Sequence, residues 1–199
     1  MIRQGWQVGS IICTVLLSSC GGSHGGWNSF PVPIYADKSL ASSEVFNSDF
    51  HEAMSFWENK AGKKLFEYKG VWTEDAAPYV GAASSPDAVT NNVIFPKAPW
   101  PFVPAIVGQT MVTSTQTEIK AAMIMINPGT FFCSGDCLGQ ESLTSERKVL
   151  AHELGHFLGL GHVDDPSNIM YPQSLPGGSL DTVKIDESTF KILTSRGDF

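Results

Sequence analysis

The stretch HELGHFLGLGH, which begins at His152, constrains this chain more than any other part of its sequence. On a helix, residues four positions apart share a face, so His152 and His156 can present both imidazoles to one ion. Glu153 is rotated by about 100° from the first histidine and can reach a water at that ion without binding the ion. Gly159 lets the chain leave the helix, and a bend then brings in His162 as a third nitrogen.

Three neutral imidazoles indicate an open, catalytic zinc site, because they leave a fourth position for water. Zinc would lower the pKa of that water toward about 7 and polarise a peptide carbonyl, while Glu153 would accept the proton and deliver it to the leaving amine. The alternative is a structural helix in which the histidines are incidental. Three of the chain's 5 histidines fall within this one motif, which argues against coincidence.

This motif and the segment that follows it, VDDPSNIMYP, resemble the metzincin zinc peptidases and, within them, the matrixins. In that family H-E-x-x-H-x-x-G-x-x-H is followed by a tight turn whose methionine lies beneath the zinc, a place that Met170 takes here. The resemblance implies that Tyr171 and Pro172 begin the wall of the pocket for the residue after the scissile bond. It also implies three zinc ligands and a general base, namely His152, His156, His162 and Glu153.

Apolar periodicity and capping residues predict an α+β domain over residues 44–199. Three helices are expected: residues 47–61, a helix capped by Ser142 or Thr144 that stops at Gly159, and residues 186–194. Strands are expected at residues 64–71, 88–95, 106–115 and 118–127. The resemblance implies the metzincin form of this class, a mixed twisted sheet with an active-site helix and a C-terminal helix.

The last two predicted strands are separated only by Gln116 and Thr117, which predicts an antiparallel pair. Residues 118–127 are the more apolar of the two and should lie inside the sheet, with residues 106–115 nearer its edge. By the resemblance, that edge strand pairs with a polypeptide substrate in an extended conformation, as in strand addition.

Residues 1–19 are predicted to be a lipoprotein signal peptide, with Arg3 as its positive end and an apolar run too short to span a bilayer. The sequence LSSC, ending at Cys20, resembles the lipobox of bacterial lipoproteins, in which the cysteine is diacylated. Two acyl chains give stable anchoring, so we expect a bacterial cell-envelope protein held outside the cytoplasm, on the outer membrane or the cell surface. The alternative is an ordinary secretory signal, in which case the protein is secreted.

Residues 20–43, the lipidated cysteine and a segment rich in Gly, Ser and Pro, are predicted to be a tether between lipid and domain. In an oxidising compartment, Cys133 and Cys137 are predicted to close a small disulfide loop. The rival interpretation is a metal-binding pair, although two thiolates alone make a poor zinc site.

The net charge of -7 argues against a nucleic-acid partner, because such a chain would not neutralise phosphates. We expect a monomer whose partners are its polypeptide substrate and, through the N-terminal lipid, a membrane. One catalytic zinc is expected, since no histidine between His51 and His152 could hold the second, structural zinc that animal matrixins usually carry. Calcium sites cannot be placed, because Asp and Gly are scattered without a recognisable loop.

The sequence therefore predicts a zinc-dependent endopeptidase that hydrolyses extracytoplasmic proteins. A second hypothesis is a catalytically silent, zinc-binding surface lipoprotein that acts in adhesion or interaction. The intact Glu153 argues against it, because such a protein would not need the base. A third hypothesis is an enzyme that uses the same centre on a non-protein substrate.

Overall fold

The computed structural model describes residues 26–73, 92–115, 118–140, 142–173 and 177–185. Its main sheet has five strands in the order β2-β1-β3-β5-β4. The strands are β1 Val32–Ala36, β2 Phe66–Val71, β3 Val93–Pro96, β4 Gly108–Ser114 and β5 Ile119–Ile126. All neighbours are parallel except β4, which runs antiparallel to β5 and lies at the edge of the sheet. The antiparallel pair and the edge position of β4 confirm the prediction from the sequence.

Helices and a second, small sheet complete the described part of the chain. The helices are α1 Lys38–Ala41, α2 Glu44–Ala61 and α3 Glu146–Phe157, with a 3-10 turn at Leu180–Thr182. The small sheet pairs β6 Phe132–Cys133 with β7 Thr144–Ser145. Within these residues, no helix combines the length and the apolar character that crossing a membrane requires.

The α+β class with a mixed sheet and an active-site helix is confirmed, since α3 carries the first part of the histidine motif. The predicted C-terminal helix, residues 186–194, lies outside the described residues. Helix α2 ends at Gly62, whose φ of 66° is the left-handed conformation that glycine adopts without steric cost.

Helix α2 packs its apolar stripe against α3 and thereby supports the motif from below. The stripe residue Trp57 is fully buried, and its Nε1–H donates to the carbonyl oxygen of Ala151 at 2.7 Å. A buried indole N–H requires such a partner. The bond therefore fixes α3 relative to α2 one residue before the first histidine of the motif.

The helix α3 begins later than predicted. Its N-cap is Ser145, whose side-chain oxygen accepts a hydrogen bond from the backbone N–H of Lys148, rather than Ser142 or Thr144. Ser145 also ends β7, so the strand pairing with β6 decides which of the neighbouring hydroxyl residues is placed to cap the helix.

The predicted tether of residues 20–43 is wrong over residues 32–41, which contain β1 and α1. In β1, Val32, Ile34 and Ala36 point into the core, with at most 2% of each residue exposed. Pro33 is tolerated because Val32 N–H bonds Leu65 O on the β2 side. The missing N–H of Pro33 therefore faces the other side, where pairing with β3 starts only at Tyr35.

The folded part of the chain begins even before β1. Gly26 forms a bridge with Glu118, and the N–H of Ile119 donates to the carbonyl of Gly26 at 2.9 Å. Trp27 is buried, packs against Phe157 at a centroid distance of 5.2 Å, and donates from Nε1 to Phe157 O at 2.8 Å. The N-terminal segment thus closes over the C-terminal end of α3.

Candidate metal centre

The three histidines of the motif converge on one point. The Nε2 atom of His156 lies 3.1 Å from Nε2 of His152 and 3.1 Å from Nε2 of His162. All three residues offer ligand atoms within 4.8 Å of one another. Two nitrogens bound to one zinc at about 2.0–2.1 Å in tetrahedral geometry are about 3.3–3.4 Å apart, so the spacing suits this ion.

The hydrogen bonds of the outer ring nitrogens fix the tautomers of two of these histidines. His152 Nδ1 lies 2.7 Å from Ile169 O, and His156 Nδ1 lies 2.8 Å from Leu160 O. A carbonyl oxygen only accepts, so each Nδ1 carries the hydrogen and each Nε2 holds a bare lone pair. Lone pairs facing each other at 3.1 Å repel unless a cation lies between them. The donor set therefore fits a metal ion of the kind that imidazoles bind, such as zinc.

Burial keeps these histidines neutral. Desolvation, as the largest cause, lowers the pKa of His152 to about 4 and that of His156 to about 3. Burial also lowers the pKa of His162. Because the neutral imidazole is the form that binds metal, protons compete little with the ion near neutral pH.

The turn after α3 delivers the third histidine. Gly159 has a φ of 95°, in the left-handed region, and its N–H donates to His156 O at 2.9 Å. Leu160 N–H then donates to Gly155 O at 3.0 Å, which closes the helix end and turns the chain back. A side chain at Gly159 would disfavour this conformation, so the glycine positions His162.

Met170 is fully buried and lies directly beneath the motif. A Cβ atom on Gly155 would lie 2.3 Å from Met170 Sδ and 2.8 Å from Cζ2 of Trp57, so the methionine and the indole touch the helix backbone between the first two histidines. The turn itself is held by Asn168, whose Oδ1 accepts from Met170 N–H at 2.9 Å. The preceding residue, Ile169, supplies the carbonyl that orients His152.

Glu153 is buried against the edge strand. Its Oε2 accepts a hydrogen bond of 2.6 Å from the Thr110 hydroxyl on β4. Its Oε1 would lie 2.7 Å from a Cβ atom on Gly108, so only glycine leaves room for the carboxylate at that position. Desolvation raises the pKa of the metal-free Glu153 to about 7, and the hydrogen bonds from Thr110 partly oppose this. A bound cation would favour the charged carboxylate.

The remaining predicted site residues lie in other parts of the chain. Tyr171 is half-buried and Pro172 is exposed, both directly after Met170. Cys133 and Cys137 are joined as a disulfide with a Cα–Cα distance of 5.2 Å. Cys20 lies outside the described residues.

Several residues of the site were not predicted from the sequence. Thr110 and Gly108 carry no local signal, because their role depends on how β4 packs against α3. Gly155 did carry a local signal. A glycine inside a helix costs about 1 kcal/mol relative to alanine, so its presence indicates that close packing requires it. Trp57 lies within the predicted helix of residues 47–61, but nothing in the sequence indicates that it donates a hydrogen bond to α3.

The mixed sheet, the helix with a glutamate between two histidines, the third histidine after a glycine turn and the buried methionine together define a metzincin, a class of zinc metallopeptidases. The family model described as Matrixin matches residues 35–189, more than half of the chain. The chain therefore belongs to the matrixin family. A comparison with curated proteins found no match.

Proposed function

We propose that this protein is a zinc-dependent endopeptidase that hydrolyses extracytoplasmic polypeptides, with Glu153 as the general base. The observation that carries the proposal is the convergence of three Nε2 atoms beside a carboxylate that Thr110 already holds in place. A protein that only bound zinc would have no need for a carboxylate oriented beside the metal.

The edge strand β4 supports an extended peptide as the substrate. Its residues pair with β5 on one side, from Gly108↔Ile126 to Ser114↔Ile119. Among the described strands none pairs with the other side, which leaves backbone donors and acceptors for an added strand. Because Gly108 and Thr110 both contact Glu153, a peptide lying along β4 passes close to the carboxylate.

Glu153 and Thr110 account for the proton transfers. When bound by the three histidines, zinc supplies Lewis acidity that activates water and polarises a peptide carbonyl. Thr110 engages Oε2 of Glu153, and we assign Oε1 as the atom that takes the proton from the attacking water and returns it to the leaving amine. Burial of Glu153 strengthens this basicity, because the desolvated carboxylate holds a proton more readily.

A cleavage-site profile tests the proposal. A denatured proteome treated with zinc-loaded protein is expected to yield new peptide termini that share a preference after the scissile bond. A hydroxamate chelator, or the variant His156→Ala, should abolish them, since either removes or blocks the metal. A wild-type protein that binds one zinc per chain and yields no new termini would instead support the silent adhesion or interaction lipoprotein.

We further propose that Cys20 is diacylated and anchors the enzyme outside the cytoplasm, on the basis of the LSSC sequence and the apolar run before it. The variant Cys20→Ala is expected to move from the detergent phase to the aqueous phase in detergent partitioning of a bacterial host. The matched control is Cys13→Ala, which alters a cysteine in the signal region and should leave partitioning unchanged. Retention of the Cys20→Ala variant in the detergent phase would refute the anchor.

A further inference from the structure

The chain beyond the methionine turn returns to the disulfide-bonded segment, residues 133–140, here called the disulfide loop. Gly178 N–H donates to the carbonyl oxygen of Asp136 in this loop at 3.1 Å. The neighbouring Gly177 N–H donates to Leu143 O, also at 3.1 Å. Two consecutive backbone bonds therefore fix the position of Gly177 and Gly178 against the loop and the residues that follow it.

The active-site helix adds a third bond to the same place. Lys148, in the first turn of α3, is mostly buried and donates from Nζ to the carbonyl oxygen of Gly177 at 3.3 Å. A Cβ atom on Gly178 would lie 3.5 Å from the same Nζ. Since Lys148 lies one helical turn before His152, the position of Gly177 is linked to the helix that carries the ligands.

The disulfide loop is itself held against both long helices. The carboxylate of Asp136 pairs with Nη1 of Arg147 at 3.2 Å, and Nε of Arg147 pairs with Asp49 on α2 at 2.9 Å. Asp49 is 1% exposed and also accepts the N–H of Gly135 at 3.0 Å. Asp49 and Arg147 are largely buried and hydrogen-bonded, which leaves them few alternative arrangements, so Asp49 gives the loop a fixed support at Gly135.

The disulfide includes a residue with an unusual backbone conformation. Cys137 has a φ of 56°, in the left-handed region that residues other than glycine rarely adopt. The bond to Cys133 closes a sequence separation of only 4 and keeps Cys137 there. Without the bond, we expect Cys137 to relax toward a common conformation and the neighbouring carbonyl of Asp136, which accepts from Gly178, to move with it.

We propose that the Cys133–Cys137 loop positions Gly177 and Gly178, thereby restrains the pocket wall that begins at Tyr171 and Pro172, and so sets how the enzyme selects the residue after the scissile bond. This inference rests on the proposed function, in which Tyr171 and Pro172 begin the wall of that pocket. Only three residues separate Gln173 from Gly177, so the anchoring of Gly177 limits where the wall can lie. The disulfide is thus a positioning element for specificity and not part of the catalytic machinery.

The double variant Cys133→Ser/Cys137→Ser tests this inference with two readouts. First, the ratio of kcat/KM for two peptides that differ only after the scissile bond should change by about fivefold or more, with the zinc content unchanged. A merely structural role would slow both peptides equally. Second, amide hydrogen exchange at Gly178 should accelerate by about tenfold or more, because its N–H loses the fixed acceptor on Asp136.

Leu138→Ser is the matched control, since Leu138 lies in the same loop, is 87% exposed, and should change neither readout. If the double variant does not fold, two other proteins replace it. The first is folded wild type whose disulfide is reduced with a phosphine. The second is the variant Lys148→Met, which removes one bond to Gly177. An unchanged ratio in an enzyme that cleaves both peptides overturns the inference. If wild type cleaves neither peptide, the proposed function fails, and the positioning then stands or falls on the exchange rates alone.

Discussion

Glu153→Gln is expected to lower kcat/KM by about 10²–10⁴ while the protein still binds one zinc per chain. Glutamine keeps the size of the side chain and can still contact the Thr110 hydroxyl, but it cannot accept a proton from water. The change therefore removes general-base catalysis and leaves the three ligands untouched. Steady-state cleavage of a fluorogenic peptide, with zinc measured on the same samples, gives both quantities.

His156→Ala provides the contrast, because it should lose both zinc and activity. Glu52→Gln is the matched control: its carboxylate lies on α2, pairs with Arg147 and is remote from the motif in sequence, so catalysis should be unchanged. Activity of Glu153→Gln within about tenfold of wild type would show that another group takes the proton.

Gly155→Ala is expected to destabilise the protein by about 1–3 kcal/mol and to weaken zinc binding. Inside a helix, replacing glycine with alanine ordinarily stabilises by about 1 kcal/mol, so the expected sign is reversed. The reason is contact: the new Cβ would lie 2.3 Å from Met170 Sδ and 2.8 Å from Trp57 Cζ2, and both of these residues are fully buried. Denaturant unfolding of the metal-free protein measures the stability, and chelator competition measures the zinc affinity.

The matched control for Gly155 is Gly161, which lies in the same motif. A Cβ atom on Gly161 would meet no atom of the described residues within 4 Å. Gly161→Ala should therefore change stability by no more than about 0.5 kcal/mol. If Gly155→Ala stabilised the metal-free protein, the close approach of Met170 to the helix would be refuted.

The histidine site was predictable because its information is local. Helical spacing alone brings His152 and His156 to one face, and the glycine turn that delivers His162 lies within the same eleven residues. The antiparallel pair β4–β5 was equally accessible, since a two-residue connection leaves few other arrangements. Each of these inferences depends on neighbours in the chain.

Contacts between distant segments were not predictable in the same way. Nothing in the sequence around Thr110 indicates that its hydroxyl meets a carboxylate 43 residues away. The strand β1 was missed because Gly, Ser and Pro dominate the composition before it, although Val32, Ile34 and Ala36 alternate as a buried strand requires. The composition of this segment outweighed the short alternating pattern of β1, so the predicted tether extended too far along the chain.

The folded part of the chain starts close to Cys20, which limits how far the domain can lie from a lipid on that cysteine. Gly26 and Trp27 are already packed on the domain, and Gly26 follows Cys20 by only six positions. Fully extended, that stretch spans about 20 Å. If Cys20 carries lipid as proposed, the catalytic domain stays against the bilayer, and the proteins it meets are those concentrated at the same surface. Whether a substrate protein is cleaved would then depend on its location at that surface as much as on its amino-acid sequence.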